Sequence, residues 1–94
     1  MSLSDFANRA VAAAMVHGPM AGLSLLATVE DDPRVSDHHL LYAVRGHLLD
    51  MAGRRHAAAE AFRDAARRTS SPAVQRYLRE RSRAVRASRP ANSL

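Results

Sequence analysis

An all-α domain is the fold class this sequence predicts, and three observations carry the prediction. The 94-residue chain holds 19 alanines among many Leu and Arg, all strong helix formers. Its Val, Thr, Tyr and Phe never alternate with polar residues for long enough to suggest a half-buried strand. Gly18-Pro19, Pro33, Gly53 and Pro72 fall between stretches of helical apolar period, where they act as stops and starts. One domain fits in this length. Such a chain buries about 60–65% of the surface it exposes when unfolded. That suffices for a core of Ala, Leu, Val and Met and favours a binding surface over a deep catalytic cavity.

Helix one is predicted from about Ser4 to Val16, ended by His17-Gly18-Pro19, where the Gly supplies a stop and the Pro suits a following first turn. Helix two, about Pro19 to Val29, carries Leu23, Leu26 and Val29 on one face and breaks at the acidic turn Glu30-Asp31-Asp32-Pro33. A loop to about Ser36 follows, and Ser36 or Asp37 is the expected cap of helix three. That helix keeps Leu40, Leu41, Val44, Leu48 and Met51 in helical period until Gly53. Helix four, about Arg54 to Arg68, sets Ala58, Ala61, Phe62 and Ala65 on one side and Glu60, Arg63, Asp64 and Arg67 on the other. Ser71-Pro72 is a cap and first-turn signature for helix five, whose thin stripe of Val74, Leu78 and Val85 ends before Ser88-Arg89-Pro90. Met1-Ser2-Leu3 reads as an expression scar ahead of a domain over residues 4–88, with residues 89–94 as a disordered tail.

Two helix pairs in tandem invite a test for repetition. A shift of 36 residues places Ala7 on Ala43, Arg9 on Arg45, Ala10 on Gly46, Met15 on Met51, Gly22 on Ala58, Leu26 on Phe62 and Val29 on Ala65. In the second half, Gly46, Leu49, Gly53, Ala58, Phe62 and Ala65 follow the order small, large, Gly, small, aromatic, small. That order resembles a tetratricopeptide (TPR) helical hairpin, in which small residues let paired helices approach and the aromatic fills the gap toward the next repeat. The first half departs from it, with Leu26 in place of the aromatic and its Gly one place late. Helix five resembles the solitary helix that caps the last hairpin. The expected architecture is two TPR-like antiparallel helix pairs plus a C-terminal capping helix.

A longer resemblance covers about residues 6 to 83. It rests on Asn8 to Ala12, Met15-Val16-His17-Gly18-Pro19, Ala21-Gly22-Leu23, His39-Leu40-Leu41, Ala43-Val44-Arg45, Gly53-Arg54 and Ala57 to Phe62. These segments resemble the C-terminal TPR-like extension of a subgroup of bacterial extracytoplasmic-function (ECF) RNA polymerase sigma factors. His17 and the Arg-rich last helix stand where that subgroup is more acidic. The sigma modules that bind promoter and polymerase are not among these 94 residues. The resemblance therefore implies a regulatory, protein-interacting domain in the cytoplasm. Its partner is then the sigma body, RNA polymerase or a regulatory protein, and DNA is reached through the parent protein.

On a TPR-like fold the first helix of each pair lines the inner surface, which makes Ser4, Ala7, Val11, Ala14, Met15, Leu40, Ala43, His47, Asp50 and Met51 candidate contacts. Ala7, Val11 and Val44 stand where carboxylate-clamp TPR domains carry Lys and Asn, which argues against that mode. Arg9, beside Asn8, shares a repeat position with Arg45 where TPR helices usually carry Leu. Each is either a polar anchor for a docked segment or the partner of Asp5, Asp50 or a helix-end carbonyl.

Charge is segregated along the chain. Residues 1–66 hold six Arg against eight acids, net −2, and residues 67–94 hold eight Arg against Glu80 alone, net +7. Arg76, Arg79, Arg83 and Arg86 recur at helical spacing as a basic stripe, readable as a weak phosphate contact, a solvated capping face or a dock for an acidic partner. Only Tyr77 is at hand for base stacking.

No metal, cofactor or catalysis is expected. The five histidines (17, 38, 39, 47, 56) form no i, i+4 pair, and no nucleophile elbow, phosphate loop or facing carboxylate pair occurs. Cysteine is absent, and no apolar run approaches the roughly 20 residues of a membrane span. A free-standing TPR-like adaptor is the rival reading, and a nucleic-acid-binding accessory domain acting through the last helix is the third. The thin cap of helix five leaves room for pairing with a second copy.

Overall fold

A computed structural model describes residues 2–87, and the expected tail at 89–94 lies outside them. Among the described residues five helices follow one another: α1 Leu3–His17, α2 Pro19–Ala27, α3 His39–Met51, α4 Arg55–Arg67 and α5 Pro72–Ala87. They form two antiparallel hairpins, α1–α2 and α3–α4. α3 also packs on α1 and α2, and α5 closes the array against α4. The shortest dimension, 17 Å, leaves room for two layers of helices.

The starts and stops follow local chemistry. The Ser2 hydroxyl caps α1 by accepting from the Asp5 N–H at 3.2 Å, so α1 begins at Leu3, one residue before the expected Ser4. Gly18 ends α1 with φ 97°, a backbone state that L side chains rarely adopt, and Pro19 opens α2 at once. α2 stops at Ala27 instead of Val29. There the chain tightens into three-residue turns, with Thr28 N–H donating to the Leu25 carbonyl and Val29 N–H to that of Leu26, both at 3.1 Å. Gly53, at φ 79°, closes α3 in a Schellman motif, in which Gly53 N–H donates to the Asp50 carbonyl and Arg54 N–H to that of Leu49. Ser71 caps α5 as expected, its Oγ accepting from Val74 N–H at 3.3 Å.

The cap of α3 is neither Ser36 nor Asp37 but His38, whose Nδ1 accepts from Leu40 N–H at 3.1 Å. The Asp37 carboxylate is engaged elsewhere, accepting from Arg68 Nε at 3.1 Å, and Ser36 stands two residues ahead of the cap, its backbone carbonyl accepting from the Tyr42 hydroxyl at 3.0 Å. The His38 ring stacks on His39, 4.7 Å between centroids. Burial, and secondarily the neighbouring His38, hold His39 below its ordinary pKa. Upstream in the same loop, the Arg34 side chain and backbone N–H both bond Asp32 and hold its carboxyl below the usual range.

The core lies in two clusters bridged by Tyr42. One is aliphatic, centred on Leu26, Leu41 and Leu48 with Ala7, Ala10 and Ala14; the other sets Phe62, Leu78 and Val85 among Ala58, Ala65 and Ala66. Close helix approach explains the small residues. A Cβ at Gly46 would meet the Phe62 ring at 3.1 Å, and one at Gly22 would stand 2.6 Å from the Ala10 carbonyl oxygen.

The repeat runs on into α5. Phe6, Tyr42 and Leu78 share one register position at 36-residue spacing, and so do Ala10, Gly46 and Ser82. All three of the latter are buried. Ser82, the one buried polar side chain among the described residues, donates to the Ala59 carbonyl at 2.9 Å and is thereby satisfied. α5 thus occupies the place of the first helix of a third pair.

Candidate interaction surface

Because α5 is in register with α1 and α3, these three helices bound a common groove of about 310 Å³. α1 contributes Val11, and α3 contributes Leu40, Ala43, Val44 and His47. α5 supplies Leu78, Tyr77 and Arg81, and the Phe62 ring of α4 shows between α3 and α5 where Gly46 lets it through. The walls are apolar. Positive charge enters at Arg81, whose guanidinium lies 5.0 Å from the Phe62 ring centroid, and His47 is half-buried beside it. An apolar cleft with a single fixed cation suits a side-chain anchor followed by a carboxylate better than it suits a reaction.

The residues expected on the inner surface divide. Val11, Leu40, Ala43 and His47 come together in the groove. Ala7 and Ala14 are buried in the core and unavailable to a partner. Ser4, Asn8 and Arg9 are exposed on α1 outside the groove lining, and Asp50 is half-buried near the end of α3. Met15 and Met51, equivalent by the repeat, are 76% and 41% exposed at the ends of their helices, and neither lines the groove. Tyr77, Leu78 and Arg81 are groove residues that sequence reasoning missed. The signal was the 36-residue register of Arg9, Arg45 and Arg81, visible once helix five is aligned with the first helices and not treated only as a cap.

Those three arginines have different fates. Arg9 is exposed and makes no ion pair among the described residues. Arg45 reaches an acid outside the expected set: its Nη2 donates to Glu30 Oε1 at 2.5 Å, which ties the α2–α3 loop to α3. The Arg45 and Arg68 guanidiniums both lie over the Tyr42 ring, 5.0 and 4.0 Å from its centroid. Arg68 in turn bonds Asp37 and the Asp64 carbonyl. Tyr42, Arg45 and Arg68 thereby fasten the acidic loop to the second hairpin.

The basic stripe of α5 is exposed at all four positions, Arg76, Arg79, Arg83 and Arg86. It lies on the flank of α5 away from Tyr77 and Arg81. Arg79, Arg83 and Arg86 meet Arg63 of α4 across a cleft of about 380 Å³ floored by Ser82, and Arg76 stands outside it. Among the described residues no three His, Asp or Glu side chains gather at metal-binding distance. No helix there is long and apolar enough to cross a membrane. No family model, curated protein or solved structure matches the chain.

Proposed function

We propose that the chain is the C-terminal TPR-like regulatory module of an ECF-type sigma factor, acting by docking a protein segment in the α1–α3–α5 groove and contributing no catalysis of its own. The observation that carries the reading is the groove itself: an apolar concavity built by the first-helix positions of three successive repeats, with Arg81 fixed over Phe62 at one wall. The sequence resemblance supplies the occupant, a segment of the cytoplasmic sigma body offering an apolar anchor beside an acidic residue. Docking there holds the promoter-binding modules in one arrangement, and release frees them.

Arg45 is a stabilising residue in this account, since its charge is met by Glu30. The groove residues discriminate better. Calorimetric titration of the domain with the sigma body as a separate chain tests the reading. The Val11→Glu and Tyr77→Ala variants, each checked for helicity by circular dichroism, are expected to weaken binding at least tenfold, and Met15→Ala to leave it unchanged. Wild-type affinity in folded Val11→Glu and Tyr77→Ala proteins, or no affinity in any, rejects it.

A further inference from the structure

The opposite flank of α5 carries an arrangement that groove docking does not use. Arg63, Arg79, Arg83 and Arg86 converge on one cleft, and the guanidinium of none of the four makes a hydrogen bond or ion pair among the described residues. Elsewhere the arginines with acids nearby are paired: Arg34 with Asp32, Arg45 with Glu30, Arg67 with Asp64, Arg68 with Asp37. Glu60 and Asp64 border Arg63 on its far side, but they face His56 and the Arg67–Arg68 pair. Glu80, the one acid of α5, does not line the cleft. Four like charges that repel one another gain nothing for the fold and are relieved by an anion.

We infer that this cleft is a phosphodiester-binding site through which the domain holds the backbone of a nucleic-acid duplex, independently of sequence. Guanidinium forks match phosphate oxygens bidentately, which makes an all-arginine cleft apt for this ligand. Arg79 to Arg86 spans about 10 Å of helix. A duplex strand sets one phosphate per about 3.4 Å of axis, so the flank covers a short run of successive phosphates. The absence of rings decides between duplex and single strand. Phe62 and Tyr77 face the groove on the other flank, and no aromatic lines the cleft, so there is no platform for unstacked bases. This inference stands apart from the sigma reading, because it rests on α4 and α5 alone.

Fluorescence anisotropy with a labelled DNA duplex of arbitrary sequence, titrated against salt, tests it. With up to four phosphates neutralised, log Kobs should fall against log salt with a slope of about −3 to −4. The triple variant Arg79→Gln/Arg83→Gln/Arg86→Gln should lose about 2.7 of that slope, at about 0.9 per contact. The charge-matched triple variant Arg9→Gln/Arg54→Gln/Arg55→Gln should keep most of it, with both proteins verified as folded by circular dichroism. Equal losses in the two variants would mean that net charge alone binds, and the site would be abandoned. Absence of duplex binding at low salt overturns it outright. Tighter binding of the single strand, or of polyglutamate, than of the duplex replaces it with a stacking surface or an acidic protein partner.

Discussion

In the α1–α2 hairpin the bare backbone is on the second helix, where a Cβ at Gly22 would stand 2.6 Å from the Ala10 carbonyl oxygen and 3.0 Å from the Leu48 side chain. In α3–α4 it is on the first helix, where the nearest neighbour a Cβ at Gly46 would meet is the Phe62 ring, at 3.1 Å. The same two repeat positions, 36 residues apart, hold Ala10 with Gly22 in one hairpin and Gly46 with Ala58 in the other. The large residue between the helices decides which member is bare. Leu26 leaves the helices free to touch backbone to backbone, while the flat ring of Phe62 needs the Cβ of its facing residue removed. A repeat therefore conserves a total of space, not a residue, and the groove depends on the second solution because Phe62 reaches it across Gly46.

The largest effect expected from breaking this arrangement comes at Phe62. Phe62→Ala should cost about 3–5 kcal/mol in urea denaturation, since it empties the centre of the second cluster. A loss below about 1 kcal/mol would mean that the alanines around it collapse and carry that half alone.

The two glycines sharpen the comparison. At Gly22 the obstacle is backbone, so Gly22→Ala forces α1 and α2 apart and should cost about 1–3 kcal/mol. At Gly46 a ring must yield a few tenths of an ångström, and the helix gains about 1 kcal/mol in propensity over Gly, so Gly46→Ala should fall near neutral. Equal costs at the two sites would remove the distinction between backbone and ring contact.

The arginine series makes a third comparison. Arg45→Gln breaks the half-buried pair with Glu30 and the contact over Tyr42, for an expected loss of roughly 1 kcal/mol, whereas Arg9→Gln should leave thermal stability unchanged. The smallest effect is at His39, whose folded pKa is lowered by burial. Its contribution to stability is complete above the ordinary pKa of 6.5 and is lost as pH falls from there through the folded value. A shallow acid-side loss of stability should disappear in His39→Gln.

Helix order, the Gly18-Pro19 junction, the Gly53 stop and the Ser71-Pro72 start were legible because each is a one-residue backbone decision. The caps at Ser2 and His38 were not. Ser36 and Asp37 have the better capping chemistry, but α3 starts at His39, where His38 is the capping position, and the Asp37 carboxylate is bonded by Arg68, 31 residues along the chain. The repeat register marks a face of α1 and α3 from which Val11, Leu40, Ala43 and His47 line the groove, while Ala7 and Ala14, marked by the same register, turn into the core. Helical period places Arg63 on the polar side of helix four, and its meeting with Arg79 across the α4–α5 contact is a tertiary fact that no helical period encodes.

The central claim is that a protein segment docks on the Tyr77–Arg81 flank of α5 and not at the helix ends. Amide chemical-shift mapping of the labelled domain, titrated with the proposed partner, a sigma-factor body, addresses it most directly. The account predicts shifts concentrated at Val11, Ala43, His47, Tyr77 and Arg81, with little change around Met15 to Met20. Shifts centred on the α1–α2 turn, or spread without the groove residues, would contradict it.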